Sequence, residues 1–318
     1  MVGGMTYDVV VIGGGAAGLS GALSLARARR SVLVVDAGAP RNAPAGHVHN
    51  YLAREGTPPG ELLAAGRAEV TGYGAQIETD SAIGLRALDG GGFEVRLTGQ
   101  VVQGRRLLVA TGLVDELPPV PGLAERWGRT VLHCPYCHGW EVRDQAIGIL
   151  GTGPLAVHAA LLWRQWSADV TLFRHTAPEP AADELTRLRA RGIVQETEPV
   201  AGVEGVADVR LADGRLVPRQ ALVVTPAFTA RTDLLAPLGL SPMPMELNGT
   251  VLGTYLAVGP TGETTVPGVY AAGNVSDPRA QVIGSAAAGL MAGAAINGDL
   301  IEEDTRRAVA GLVPEGAR

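Results

Sequence analysis

The sequence predicts an α/β protein made of two similar units, the second inserted in the first. Three observations carry that prediction. A pattern of apolar strand, glycine-rich turn, helix and second strand begins near Val9 and occurs again near Ile147. A Pro-rich connection, "LLVATGLVDELPPVPG", separates the two copies. An Ala-rich helical stretch after Gln281 cannot stand alone and needs the first copy to pack against. The composition agrees. A chain of 318 residues is long enough for about two cores, and 46% hydrophobic against 18% charged residues marks it as globular. The 44 glycines let backbones approach one another or a ligand closely. A net charge of −6, with no Lys/Arg-rich run, gives no reason to expect nucleic acid. The uncharged run Val9 to Ala26 imitates a membrane span, but three consecutive glycines break it and no basic segment precedes it. It reads as a buried strand, a turn and a helix, in a protein expected to be soluble and cytoplasmic, with no membrane partner.

The first copy is "YDVVVIGGGAAGLSGAL". An apolar run, Val9 to Ile12, leads into Gly13-x-Gly15-x-x-Gly18 and a helical pattern, and "SVLVVD" ends in Asp36. In such an arrangement the glycines allow a tight turn, approach of a pyrophosphate to the backbone, and close helix–strand packing. The acid at the end of the second strand bonds a ribose. The second copy is Gly151-x-Gly153-x-x-Ala156, with a helix and a strand ending at Phe173. Its turn reads as well formed. Arg174 stands where the first copy has Asp36, and a cation there suits a 2′-phosphate, hence NADPH over NADH if a nicotinamide binds. No arginine cluster follows, and Glu179 lies where more positive charge would help. These are two Rossmann-like units, which with the cysteine pair described next imply a flavin plus either a nicotinamide or a vestige of its site. The expected division is 1–115 for the first part of the FAD-binding domain, 116–247 for the inserted unit, and 248–318 for the return to the first domain.

Between the copies lies "HCPYCHGWEVRD", holding Cys134 and Cys137, the chain's 2 cysteines, flanked by His133 and His138. A structural disulfide would close a very short loop, where the entropic gain is smallest, and a cytosolic protein would not rely on it. Zinc is disfavoured because directly adjacent residues seldom reach one tetrahedral ion and no second ligand pair follows. A redox dithiol fits better. CxxC placement lowers one thiol pKa, the thiolate attacks, and a neighbouring histidine can move the proton at neutral pH.

The order of these parts resembles that of the low-molecular-weight thioredoxin reductases and their relatives over nearly the whole chain. The matching parts are the Gly13/Gly15/Gly18 turn, Asn50 in "HVHNYL", Ala110-Thr111-Gly112, the CxxC ahead of a second glycine turn, and the closing "GVYAAGNV…AQV". The resemblance implies FAD across the first domain, held by Gly13, Gly15, Gly18, Asp36, Arg41, Asn42, Asn50, Thr111, Gly112, Gly273, Asn274, Gln281 and Val282. NADPH is the weaker cofactor expectation, at Gly151, Gly153, Ala156 and Arg174. It implies a homodimer whose domains rotate to alternate flavin contact. It also implies that Cys137 is the sulfur next to the flavin and Cys134 the outer sulfur that meets the substrate. His138 then replaces the family's acid as proton carrier, with His133 a second candidate. Asn274 replaces the usual Asp, and only Arg174-His175 remain of the usual arginine cluster. "CPYCHG" is similar to the subgroup with the gliotoxin and holomycin dithiol oxidases, which form a disulfide in a small natural product and pass electrons to oxygen. The favoured expectation is therefore oxidation of a small-molecule dithiol with O2 as acceptor. The alternatives are an NADPH-dependent reductase of thioredoxin-like or small disulfides, and a non-enzymatic flavin-binding sensor.

Overall fold

The computed structural model describes residues 5–247 and 249–312. The Val-rich run becomes β1 (Thr6–Ile12), with Val9, Val10 and Val11 fully buried, as a strand covered on both faces requires. It turns at Gly13 into α1 (Ala16–Arg27) and β2 (Val32–Val35), parallel to β1 in the register Val9↔Val32. Then come α2 (Pro59–Gly72), β3 (Gln76–Glu78), β4 (Ala82–Ala87), β5 (Phe93–Leu97) and β6 (Val101–Val109). They form one sheet in the order β3-β2-β1-β6-β5-β4, with a late strand, Val269–Ala271, also on β6.

The chain leaves this unit through β7 (Leu113–Glu116) and enters a five-stranded sheet. Its elements are β8 (Val131–Leu132), α3 (Pro135–His138), β9 (Ile147–Leu150), α4 (Ala156–Trp163), β10 (Val170–Phe173), α5 (Ala182–Ala190) and β11 (Val194–Glu196). A three-stranded meander follows, β12 (Val200–Glu204), β13 (Asp208–Leu211) and β14 (Leu216–Val217), before β15 (Ala221–Val223) closes the order β11-β10-β9-β15-β8. The return strand β16 (Ala227–Ala230) runs antiparallel to β7, Ala230 opposite Leu113, so the connecting segments lie side by side. β17 (Met243–Leu247) and β18 (Thr250–Tyr255) complete that small sheet. Ala230, Leu235, Leu240 and Leu256 are buried in one cluster with Tyr7, Val10 and Val95. We therefore place the end of the inserted unit near Val224 rather than at 247, because the chain is already in the first core by Ala230.

The chain ends with β19 (Val269–Ala271) and α6 (Val282–Leu312). The buried stripe of α6, Ser285, Gly289, Ala292, Gly293, Ile296 and Leu300, repeats at helical spacing and lies on α1. A side chain at Gly289 would strike the Ala17 carbonyl, so the two backbones are in direct contact. Farther along, Arg106 on β6 holds Asp299 and Glu303, and Arg105 holds Asp8 and Asp304. No helix of the described residues is long and apolar enough to cross a membrane.

Candidate dithiol and dinucleotide site

At the edge of the second sheet β8 delivers His133 and Cys134 beyond its last pairing with β15. Pro135 opens α3, where its fixed φ and missing N–H cost nothing, so Cys137 falls within the single turn that follows. The amides of Cys137 and His138 both donate to the Cys134 carbonyl, at 3.2 and 3.1 Å. This brings the Cα atoms of the cysteines to 5.2 Å, and the sulfurs are joined as a disulfide. Both cysteines are half-buried, while Tyr136 between them is exposed and stands edge-on to Trp166 at 5.7 Å.

Both flanking histidines are sheltered. His133 lies edge-on to Phe228 at 5.2 Å, with Nδ1 3.3 Å from the Val224 carbonyl. Burial pushes its pKa down. Burial also pushes His138 down, Glu141 opposes the shift, and His49 and His133 reinforce it. Both are therefore neutral at pH 7, so His138 is in the state that accepts a proton.

The dithiol turn is docked against a loop of the first unit. Asn50, at φ 58°, donates its side-chain amide to the Tyr136 carbonyl. His49 faces Glu55 at 2.6 Å through Nδ1 and Glu141 at 3.4 Å through Nε2. No local spacing in the sequence marks His49 or Glu141 as part of this contact. Arg41 grips Asp115 with two bonds, 2.7 and 2.6 Å, donates to Asn274 Oδ1 at 3.0 Å, and lies over the Phe228 ring. The Asn274 amide group is spent on the Asp277 and Ala280 carbonyls, 3.0 and 2.9 Å. These two side chains, expected to touch a cofactor directly, thus hold the loops around it to one another. Asn42 shapes the same loop, its carbonyl accepting the Ala45 amide at 3.0 Å.

The first glycine turn separates into structural and open positions. At Gly13 (φ +112°) a side chain would strike the Ala110 carbonyl, and at Gly18 the Gly13 carbonyl. Gly15, the N-cap of α1, has nothing within 4 Å of the place a Cβ would take. That open space lies at a helix N-terminus without a side-chain cap, where free N–H groups and the helix dipole favour an anion. Asp36 directly follows β2, lies beside Gly14 and is also gripped by Arg67 of α2, a partner the sequence did not reveal. The Thr111 hydroxyl donates to the Arg231 carbonyl at 2.7 Å, and the Gly112 carbonyl accepts the Arg231 amide at 3.0 Å. Gly273 lies against Ala17, while Gln281 and Val282 begin α6, the Gln281 carbonyl accepting the Ser285 amide. The elements of the first set thus converge on one cradle, and its residues fit a dinucleotide.

The second turn departs from the first. Aligned on their first glycines, Ala16 at the start of α1 corresponds to Pro154, which has no N–H to give. The first helical bond of α1 is Leu19 to Gly15, whereas α4 starts two positions later, with Ala159 to Leu155. The turn, expected to be well formed, therefore lacks an N–H where the first turn has that of Ala16. Gly153, Ala156 and Arg174 line a cavity of about 110 Å³, together with Pro154, Glu179 and Glu184. That lining sets two carboxylates against one arginine, a poor balance of charge for a phosphate.

Residues 7–293 match the family model described as pyridine nucleotide-disulphide oxidoreductase. The chain is 34% identical over 283 residues to the thioredoxin reductase tcpT of Claviceps purpurea, covering 84% of this chain and 86% of that protein. It is 31% identical to the thioredoxin reductase sirT of Leptosphaeria maculans, covering 92% and 93%. Among solved structures it is similar to HlmI, with 46% identity, coverage of 98% and 97%, and a TM-score of 0.86. It is also similar to an oxidoreductase from Agrobacterium tumefaciens, with 37% identity, coverage of 93% and 99%, and a TM-score of 0.88.

Proposed function

The chain belongs to the pyridine nucleotide-disulphide oxidoreductase family and is an FAD-dependent disulfide oxidoreductase, and we propose that it oxidises a small-molecule dithiol, with O2 as the final acceptor. Membership in an enzyme family sets aside the non-enzymatic sensor. The observation that carries the direction is the second glycine turn, where Pro154, the late start of α4 and Glu179 beside Arg174 all oppose a bound NADPH. The cradle around Gly15 would hold FAD, with its pyrophosphate at the N-terminus of α1.

The protein's own residues carry the thiol chemistry. His138 takes the proton of a substrate thiol. The resulting thiolate bonds to Cys134 Sγ, the Cys134–Cys137 bond breaks, and the electron pair goes to Cys137 Sγ. The second substrate thiol loses its proton to solvent and attacks the substrate sulfur of the mixed disulfide; the bond to Cys134 breaks with its electron pair on Cys134 Sγ, so the product leaves as a disulfide and the enzyme is left as a dithiol. FAD, when bound, supplies the two-electron acceptor that returns the pair to a disulfide. The overall balance is one dithiol and one O2 to one disulfide and one hydrogen peroxide. The neutral state of His133 and His138 suits this sequence at pH 7.

A second reading has a specific observation behind it: curated relatives are named thioredoxin reductase, and the second glycine turn retains Gly151 and Gly153. In that reading NADPH supplies the electrons and a thioredoxin-like protein receives them. A cytoplasmic homodimer accords with either. Oxygen uptake by the flavin-loaded enzyme separates the two. Dithiol-dependent uptake with equimolar peroxide, unaffected by NADPH, is expected; uptake or disulfide reduction that requires NADPH would overturn the proposal.

A further inference from the structure

The excursion from β8 to β9, residues 133–146, carries the dithiol turn, and one aromatic side chain of the inserted unit braces it. Trp166 follows α4 in the chain and is half-buried. Its ring lies edge-on to Tyr136, with centroids 5.7 Å apart, and stands 6.1 Å from Trp163 in the core of the inserted unit. Gly139 closes the contact. Its φ of −64° is ordinary for any residue, so space and not backbone conformation asks for a glycine. An added Cβ there would come within 2.8 Å of Trp166 Cδ2 and 2.9 Å of Cε2, so the indole lies directly against the backbone at the end of the turn. The main chain beside this ring holds the far end of the excursion. The Trp166 carbonyl accepts the Asp144 amide at 2.9 Å, and the buried Ser167 hydroxyl donates to the Gln145 carbonyl at 2.5 Å.

Resting on the reading of Cys134–Cys137 as the working dithiol, we propose that Trp166 is a positioning residue for it. The indole holds the turn in the orientation in which the Tyr136 carbonyl meets Asn50 of the first unit. Tyr136 sits between the cysteines, and its two ends are claimed from opposite units: the ring by Trp166 and the carbonyl by the Asn50 side-chain amide. Tyr136 is 58% exposed and α3 is four residues long, so neither burial of that side chain nor the helix alone fixes the turn. An edge-on aromatic pair constrains distance and angle together, which an aliphatic contact does not. Trp163 passes that constraint to the core, being 1% exposed and offering its carbonyl to the Trp166 amide at 2.9 Å. Trp166 thus acts through Tyr136 and Gly139, and takes no proton or electron in the reaction.

The test uses the flavin-loaded protein and its Trp166→Ala, Trp166→Leu and Trp166→Phe variants, each also in the Cys134→Ser background. Three quantities are read. The first is the long-wavelength thiolate-to-flavin band per bound FAD in the Cys134→Ser proteins. The second is the limiting rate of anaerobic flavin bleaching by dithiothreitol in the others. The third is hydrogen exchange, by NMR, of the Cys137 and His138 amides, both donors to the Cys134 carbonyl. Trp166→Ala and Trp166→Leu should bind FAD as the parent does, because the cradle lies on the first unit, yet lose most of the band. Their limiting rate should fall about tenfold or more, since a misplacement of about 1 Å can cost on the order of 10²-fold. Both amides should exchange faster. Trp166→Phe, which keeps a ring for Tyr136 to meet, should restore most of the band and the rate. Trp166→Leu carries the decision if Trp166→Ala does not fold. A lower Tm with band, rate and exchange at parent values would show that the side chain only stabilises, and would overturn the inference. If Cys134→Ser alone shows no band and dithiothreitol does not bleach the parent, the dithiol reading fails instead, and exchange of the two amides still decides the role of Trp166.

Discussion

Cys134 and Cys137 share one turn, yet replacing them should have different consequences. With Cys137 as the sulfur next to FAD, as the resemblance implies, Cys134→Ser should leave a free thiolate there and give a long-wavelength charge-transfer band. Cys137→Ser should show no such band, and its outer thiol should trap a substrate as a mixed disulfide detectable by mass. A band in Cys137→Ser alone would reverse the roles. His138→Ala should slow the thiol step by about 10²-fold or more while FAD stays bound. In the parent, the rate should rise with pH through a midpoint below the ordinary histidine value, because burial disfavours the protonated ring. The same shift bears on stability. A histidine that binds protons less well when folded leaves the unfolded state with more protons, so stability should fall as pH drops below about 6.5. Chemical denaturation at pH 5.5 and 7.5 measures this. At this scale the dithiol and His138 were legible because they are adjacent in sequence. The links His49–Glu141 and Arg67–Asp36 were not, because long loops bring their partners together and no local spacing marks them.

The glycine turns show how much an element discloses. Both triplets are plain in the sequence, but only the fold separates glycines that relieve a clash from the one that faces open space. Gly15→Val should fold with a Tm close to that of the flavin-free parent and lose FAD, since no protein atom lies within 4 Å of the added Cβ. Absorbance of the purified variant reads the loss, and a variant that keeps its flavin would contradict the cradle. Gly289→Ala should do the opposite kind of damage. The added methyl meets the Ala17 backbone, α1 and α6 must separate, and stability should fall by about 1–3 kcal/mol or more. Thermal unfolding of the flavin-free protein measures it. Pro154 was visible in the sequence as well, but its cost depends on where α4 begins. A pattern of small residues does not define a helix start to within two positions.

Across the whole molecule, the double unit and its insertion were legible because strand, turn, helix and strand recur in register. The boundary was less so. Residues 227–247 look like one more run of short strands, and only burial of Leu235 and Leu240 among the strands of the first unit assigns part of them to that core. The side-by-side connectors β7 and β16, and the docking of the dithiol turn on the loop around Asn50, are long-range outcomes of the same kind. They bring the Cys134–Cys137 turn against the first unit, the arrangement that electron transfer from dithiol to flavin needs. The central claim is that electrons enter from a dithiol and not from a nicotinamide. Anaerobic titration of the flavin-loaded protein, followed by flavin absorbance, tests it most directly. Stoichiometric bleaching by a dithiol, abolished in Cys134→Ser, with negligible bleaching by NADPH, is the result expected. Fast bleaching by low NADPH that collapses in Arg174→Ala, with no response to dithiol, would contradict it.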